Sequence, residues 1–311
     1  MNKINSNYNK KIKPFLKWAG GKSQLISEIE KYYPFDNKKI TKYAEPFVGG
    51  GAVLFDILEK YNLNEIYISD INAELINTYC VIKDDISGLI FSLEKMRKNF
   101  ISLSKENRKT YYLQQREKFN NLKFSKNESL NIEKAALMIF LNKSCFNGLY
   151  RVNKKGMFNV PMGSYKNPNI YDEENLIAIS EKLKNVNIIH GDYTLSYNFI
   201  DENTFVYIDP PYRPLNNTSN FTSYTEKCFD DEEQIKLAEF IYKIHNKKAK
   251  IVISNSDPKN VDKNDDFFDS IYSSYNIERV NATRMISSKS SSRARINELL
   301  ISNQQKRNYN A

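Results

Sequence analysis

The residues best suited by type and spacing to do chemistry stand in FVYIDPPY, Phe205 to Tyr212. An apolar run with strand character ends there on an aspartate, two prolines and a tyrosine. Proline cannot donate to a sheet ladder, so the strand stops at Asp209. In open α/β sheets ligands bind beyond the carboxyl ends of the strands. At that place Asp209 offers a carboxylate, Pro210 a carbonyl on a stiff turn, and Tyr212 an aromatic face. Together they can hold a flat ring by its face and an exocyclic amino group by its two hydrogens. The lone pair of such an amine is delocalised into the ring, which makes it a poor nucleophile. Two acceptors that draw its hydrogens out of the ring plane make the nitrogen more tetrahedral and aim its lone pair at an electrophilic carbon. That is positioning and electrostatic stabilisation, not proton abstraction.

Other segments must bring the electrophile. EPFVGGGAV, Glu45 to Val53, sets three glycines between a strand and a helix. Without side chains the backbone can approach a ligand closely; a tight strand–helix turn is the alternative. The dinucleotide fingerprint G-x-G-x-x-G is not met, because Leu54 stands where it needs its last glycine. Asp70, nineteen residues beyond Gly51, ends the next strand. It can accept hydrogen bonds from both hydroxyls of a ribose, or simply cap the helix of INAELIN. Together the turn and the acid suit an adenosine-containing ligand without a pyrophosphate, and S-adenosylmethionine fits. Its sulfonium methyl is the electrophile that an adenine amine beside Asp209 would attack, and an adenine must flip out of a duplex to arrive there. KWAGGKSQL, Lys17 to Leu25, is not a phosphate loop, since Leu16 occupies the position of the required first glycine. Lys22 can instead pair with a carboxylate, such as the methionine end of that cofactor. Trp18, the single tryptophan, reads as core on burial habits alone.

The chain has 311 residues, 41% of them hydrophobic, so it can bury a sizeable core. Its net charge of +9 makes polyanions plausible partners. Cys80, Cys145 and Cys228 form no Cys-x-x-Cys pair, and His190 and His245 are the two histidines, which argues against a disulfide scaffold and a metal site. No apolar run reaches membrane-spanning length, and MNKINSNYNKKIK lacks an apolar leader segment, so a cytoplasmic chain with no membrane partner is expected.

Residues 1–13 read as a disordered tail. KYAE, EIYISD, NVNIIHGD, TFVYIDPPY and AKIVISNS read as strands interleaved with helices, and DDEEQIKLAEFIYKIHNK is an amphipathic helix whose acidic first turn suits the helix dipole. DSIYSSYNIERVNATR and INELLISN complete the sheet. The middle differs: it is helical through NIEKAALMIFLNKS, and CFNGLYRVNKKGMFNVPMGSYKNP then places a turn at Asn153 to Gly156 between β-prone runs, a hairpin. From Lys134 through Tyr171 there are six basic residues and no acid, which is either a polyanion-binding face or a solvated loop. The expected division is a catalytic α/β domain, 14–72 and 180–311, interrupted by a target-recognition domain, 73–179.

The run of FLKWAGGK, EPFVGGGAV, SDIN, an insert, DPPY and VNATRMISSKSSSRARINELLISN, in that order and over nearly the whole chain, resembles the N6-adenine DNA methyltransferases of the alpha group, the Dam and DpnII type. The resemblance implies a Rossmann-like S-adenosylmethionine-dependent methyltransferase fold with an inserted helical and β-hairpin DNA-recognition domain. It implies catalysis by Asp209, Pro210 and Tyr212 without a metal. Cofactor contacts would come from Trp18, Lys22, Pro46, Phe47, Gly49, Gly51, Asp70, Asp192 and Asp209, leaving S-adenosylhomocysteine as product. The partner would be double-stranded DNA containing GATC: Arg151 reads a guanine edge, Leu149 and Pro161 touch bases, Phe146 and Asn147 enter the gap left by the flipped adenine, and Tyr165 and Lys166 sit at the backbone. A monomeric enzyme is expected, bacterial or phage-encoded: the modification half of a restriction–modification system whose endonuclease it need not touch, a phage enzyme, or an orphan regulator. Phe146 stands where tyrosine is common and Ser164 where a basic residue can occur. Ser287 to Arg295 reads as a loop near DNA or a solvated serine-rich loop. An RNA adenine methyltransferase would share the pocket without needing the Arg151 hairpin. A non-catalytic DNA-binding protein on a decayed scaffold is disfavoured by the intact Asp209 to Tyr212.

Overall fold

The computed structural model describes residues 11–18, 20–124, 131–213, 229–283 and 295–306. The expected loop at Ser287 to Arg295 therefore lies outside the described residues, apart from Arg295 itself, where a strand begins.

Among the described residues seven strands form one sheet: β1 Lys42–Glu45, β2 Glu65–Asp70, β3 Val186–His190, β4 Thr204–Ile208, β5 Lys250–Ser256, β6 Asn276–Thr283 and β7 Arg295–Ser302. Their order is β3-β2-β1-β4-β5-β7-β6. The pairs β1–β2, β1–β4 and β4–β5 are parallel, whereas β7 runs antiparallel between β5 and β6. This is the expected Rossmann-like arrangement. The chain walks outward from β1 to β3 and returns to β4, so its switch point lies between β1 and β4, where such sheets bind ligands. Every residue of β4 is buried, as a central parallel strand covered on both faces requires.

The helices are α1 Ile26–Ile29, α2 Ala52–Lys60, α3 Ala73–Asp84, α4 Ile86–Ser102, α5 Lys105–Lys123, α6 Ile132–Ser144, α7 Glu173–Leu183, α8 Asp231–Asn246 and α9 Phe267–Ile271. Side-chain caps start most of the long ones: Asn72, Asp85, Ser104, Asn131, Asp172 and Asp230 each accept from a backbone N–H in the first turn. Among the described residues no helix is long and apolar enough to cross a membrane.

The chain divides into two compact units. One comprises the described residues of Met1–Gly21, Gly49–Tyr61 and Asn72–Ile188, the other those of Lys22–Val48, Asn62–Ile71 and Ile189–Ala311. These limits differ from those expected of the sequence. Trp18, the glycine turn and α2 belong with α3 to α7, because their contacts run there: Tyr79 Oη donates to the Gly49 carbonyl at 3.1 Å, and Lys182 Nζ to the Leu58 carbonyl at 2.9 Å. The expected tail is also too long. Ile12 is buried, and the Asn175 side-chain amide pairs with both the N–H and the carbonyl of Lys13, at 2.9 Å each, so residues 11–13 are held by the fold.

Candidate active site

The register of the sheet explains why certain polar residues meet. Side chains alternate along a strand, and the pairings Tyr207↔Val252 and Ser256↔Glu298 set Tyr207, Asp209, Ser254 and Glu298 on one face, at the carboxyl ends of β4 and β5. Lys22, in the short helical turn Lys22–Gln24, joins them. It is 4% exposed, and its Nζ lies 2.7 Å from Asp209 Oδ1 and 3.8 Å from Glu298 Oε2. It also donates to Tyr212 Oη at 2.7 Å, and Tyr212 Oη donates on to Glu298 Oε2 at 2.8 Å. From the other side Ser254 Oγ donates to Asp209 Oδ1 at 2.9 Å. Since that uses the serine proton, Tyr207 Oη must donate to Ser254 Oγ across their 2.8 Å contact. Asp209, Lys22 and Tyr212 thus stand together, although the sequence pairs Lys22 with a cofactor carboxylate rather than with Asp209.

Two carboxylates share one ammonium here. Burial pushes the Asp209 carboxyl up, with Lys22 and the Ser254 hydroxyl acting against it. Burial also pushes Glu298 up; Lys22 and Tyr212 oppose this, and the Asp209 charge adds to it. Among the described residues, the contacts of Lys22 and Ser254 to Asp209 both arrive at Oδ1 rather than Oδ2.

The ends of β2 and β3 lie side by side in the same unit. The Gly191 N–H donates to the Asp70 carbonyl at 3.1 Å, and His190 Nε2 lies 3.1 Å from the Ile71 carbonyl. Asp192 is exposed, and one of its oxygens accepts from the Thr194 N–H at 2.9 Å as the cap of a short helical turn. Ile71 and Leu195 flank these acids as exposed apolar side chains, at 56% and 54%. Pro46 and Phe47 follow β1: Ser69 Oγ lies 3.4 Å from the Pro46 carbonyl, and Phe47 stacks on Tyr193 with centroids 5.3 Å apart. Phe47 therefore packs against the core of its unit.

In the other unit the three glycines have a structural reason that their sequence does not disclose. A Cβ on Gly49 or Gly50 would stand 2.9 Å from Trp18 side-chain atoms, and on Gly51, at φ +71°, 2.4 Å from Tyr79 Oη. What approaches this backbone most closely is the protein's own aromatic side chains. Trp18 is only half-buried and stacks on Tyr150, with centroids 5.4 Å apart and planes inclined by 27°.

Tyr150 begins the hairpin. The bridge Val152↔Phe158 and the bond from Asn159 N–H to the Arg151 carbonyl at 3.2 Å set its register, and Gly156, at φ +70°, closes the turn onto the Asn153 carbonyl at 2.8 Å. Tyr150, Val152, Phe158 and Val160 are buried, whereas Leu149, Arg151, Asn159 and Pro161 alternate with them on the more open face. The buried side is braced from behind. Asn120 of α5 pairs with both the N–H and the carbonyl of Phe158, at 2.8 and 3.1 Å, standing in for a neighbouring strand. Tyr112 Oη donates to the Val160 carbonyl at 2.8 Å, and Tyr150 Oη to Glu74 Oε2 at 3.0 Å. On the open face Arg151 Nε donates to Asn159 Oδ1 at 2.8 Å, which fixes the guanidinium across the hairpin. Phe146 projects from the preceding turn at 51% exposure, beside Asn147 in the left-handed region at φ 55°. Tyr165 and Lys166 are exposed, with Lys17 Nζ 5.0 Å from the Tyr165 ring centroid.

Residues 18–286 match the D12 class of N6 adenine-specific DNA methyltransferases. The chain belongs to that family. This methyltransferase is 50% identical over 295 residues to a type II methyltransferase, M.MjaIII, of Methanocaldococcus jannaschii, covering 94% of this chain and 99% of the relative. It is 38% identical over 304 residues to the type II methyltransferase M1.LlaDCHI of Lactococcus lactis, covering 97% of each. It is 35% identical over 291 residues to the DNA adenine methylase of Haemophilus influenzae, covering 93% of each. The enzyme therefore methylates adenine at N6 in DNA, and it requires a methyl donor.

Sequence reasoning missed Glu298, Ser254 and Tyr207 of this methyltransferase. Tyr207 carried a usable signal, since it lies two residues before Asp209 and so on the same face of an alternating strand; Ser254 needed the β4–β5 register. Glu298 carried none, because it comes from an antiparallel strand 86 residues beyond Tyr212.

Proposed function

We propose that the enzyme transfers the methyl group of S-adenosyl-L-methionine to N6 of adenine in 5′-GATC-3′ duplex DNA, releasing S-adenosyl-L-homocysteine. The observation that carries the chemistry is the asymmetry of Asp209: among the described residues Lys22 and Ser254 both hold Oδ1, and Oδ2 is the oxygen that accepts one hydrogen of the substrate amine. The Pro210 carbonyl takes the other hydrogen, and the Tyr212 ring, tethered through its hydroxyl to Glu298, receives the face of the flipped base.

The donor set fits this cofactor. Asp70 and Asp192 supply acceptors for ribose hydroxyls and an adenine amine, and the exposed Ile71 and Leu195 supply apolar surface for the adenine faces. When bound, the cofactor supplies an electrophilic methyl on a sulfonium. Asp70→Ala should weaken cofactor binding at least about tenfold, by loss of charge-assisted hydrogen bonds; an unaltered calorimetric titration would refute the role.

The open face of the hairpin supports duplex recognition. Arg151, fixed by Asn159, can meet a guanine edge with both guanidinium ends, and Leu149 and Pro161 flank it with apolar surface. Two relatives are named type II methyltransferases, which supports a place in a restriction–modification system. Such an enzyme needs no contact with its endonuclease and acts as a monomer.

The test is methylation of a GATC duplex, of duplexes substituted at one base pair, and of ribosomal RNA. Strong preference for the GATC duplex is expected. Arg151→Ala should lose about 1–3 kcal/mol of discrimination at one base pair and little at the others. Equal rates on scrambled duplex, or unchanged selectivity in the variant, would sink the assignment.

A further inference from the structure

The DPPY turn is fastened by a pair of buried amides that the function described so far does not use. Gln234, in the first turn of α8, is completely buried, and its Nε2 donates to the Pro211 carbonyl at 3.0 Å. Asn255, completely buried on β5, donates from Nδ2 to Gln234 Oε1 at 3.3 Å, and its own Oδ1 accepts from the Ser256 N–H at 2.9 Å. The orientation of both amides follows from the backbone groups at the ends of the chain. A peptide N–H can only donate and a carbonyl can only accept, so Asn255 must turn Oδ1 to Ser256, and Gln234 must turn Nε2 to Pro211.

Pro210 and Pro211 lack N–H groups, so the turn cannot be tied down through donors at those residues. Their rings fix φ. Asp209 and Pro210 each precede a proline, which confines their ψ to extended values. The soft torsion left before Tyr212 is ψ of Pro211, and the carbonyl that this torsion swings is the one Gln234 grips. Resting on the roles given above to Asp209 and Tyr212, we propose that Gln234 is a positioning residue for methyl transfer: with Asn255 behind it, it sets where the Tyr212 ring stands relative to the Asp209 carboxylate. An apolar side chain could fill a buried site in this helix without needing two partners. The amide there serves the geometry of the turn.

Gln234→Met keeps length and volume and removes the grip. Single-turnover methylation of GATC duplex should slow about tenfold to a hundredfold, the scale of a small misplacement of reacting groups. The rate is counted per S-adenosylmethionine-binding site titrated by calorimetry, so that loss of folded protein does not register. Dissociation constants for S-adenosylmethionine should stay within about twofold, because no residue assigned to the cofactor is touched. Asn255→Ser, which frees the Gln234 amide, should shift the rate in the same direction by less. In a Tyr212→Ala background Gln234→Met should change nothing further, since its effect passes through that ring. A wild-type rate per site in Gln234→Met, or an equal additional loss in the Tyr212→Ala background, overturns the proposal. If Tyr212→Ala alone keeps the wild-type rate, the reading of the turn itself has failed. A slow Tyr212→Ala with a fast Gln234→Met isolates the failure to Gln234.

Discussion

Asp209→Asn is expected to abolish methyl transfer almost as completely as Asp209→Ala. Asparagine preserves the shape of the side chain, so the outcome turns on polarity. Lys22 and Ser254 both donate to Oδ1, and they would hold the amide oxygen at that position. The amide nitrogen would then face the substrate amine, donor against donor. An acceptor that should draw a hydrogen out of the ring plane becomes a group that repels it. Loss of one preorganised partner of this kind costs about a hundredfold to a thousandfold; reversal of its polarity should cost at least as much. The fold should survive, because Lys22 keeps Tyr212 and Glu298 as partners. Single-turnover rates, with cofactor binding followed separately, provide the test. A variant within tenfold of the wild type would end the assignment. The pH dependence carries an independent check. Burial pushes the Asp209 carboxyl up, so the wild-type rate should fall as pH falls through that raised value and the acceptor becomes a protonated acid. In Asp209→Asn the residual rate should lack that acid limb.

The strands that build the site were legible because a parallel sheet writes them plainly. Its central strands are near-continuous apolar runs, and each ends where a carboxylate, a glycine or a proline appears. Ile208 to Asp209 and Ser69 to Asp70 are such junctions. The hairpin was legible for a related reason: the Asn153 to Gly156 turn chemistry and the alternation around Arg151 are local. What escaped was set by long-range pairing. The placement of β7 between β5 and β6 is invisible to periodicity, and it alone brings Glu298 to Tyr212 and Lys22. Gln234 follows Asp231, Glu232 and Glu233 in the acidic first turn of α8, with no local signal that sets it apart, yet it is completely buried. The glycine turn was found for an incomplete reason. Its sequence suggests room for a ligand, whereas Gly49 and Gly50 are required by the Trp18 indole lying against them. Lys22 reads in the sequence as a partner for a cofactor carboxylate, and the carboxylate it meets in the fold is that of Asp209.

That last difference yields the second large effect, expected of Lys22→Met. Methionine fills the space and removes the charge. Asp209 and Glu298, both already pushed up by burial, would then face each other without the ammonium between them. Two like charges at close range cannot both stay ionised, so the pair should retain a proton at neutral pH. In the proposed role Asp209 accepts the substrate hydrogen best when ionised. The neutral-pH rate should therefore drop about a hundredfold, and it should recover as pH rises through the newly raised value. The acid limb of the profile moves to higher pH, not lower, because the shift is upward. Glu298→Gln added to Lys22→Met removes the competing charge, lets Asp209 ionise again, and should restore part of the rate near neutrality. A role for Lys22 directed chiefly at the cofactor carboxylate makes the opposite set of claims. Lys22→Met would then raise the S-adenosylmethionine dissociation constant, saturating cofactor would rescue the rate, the pH profile would stay in place, and Glu298→Gln would bring no recovery. A pH titration of the rate at saturating cofactor, on the single and double variants, separates the two.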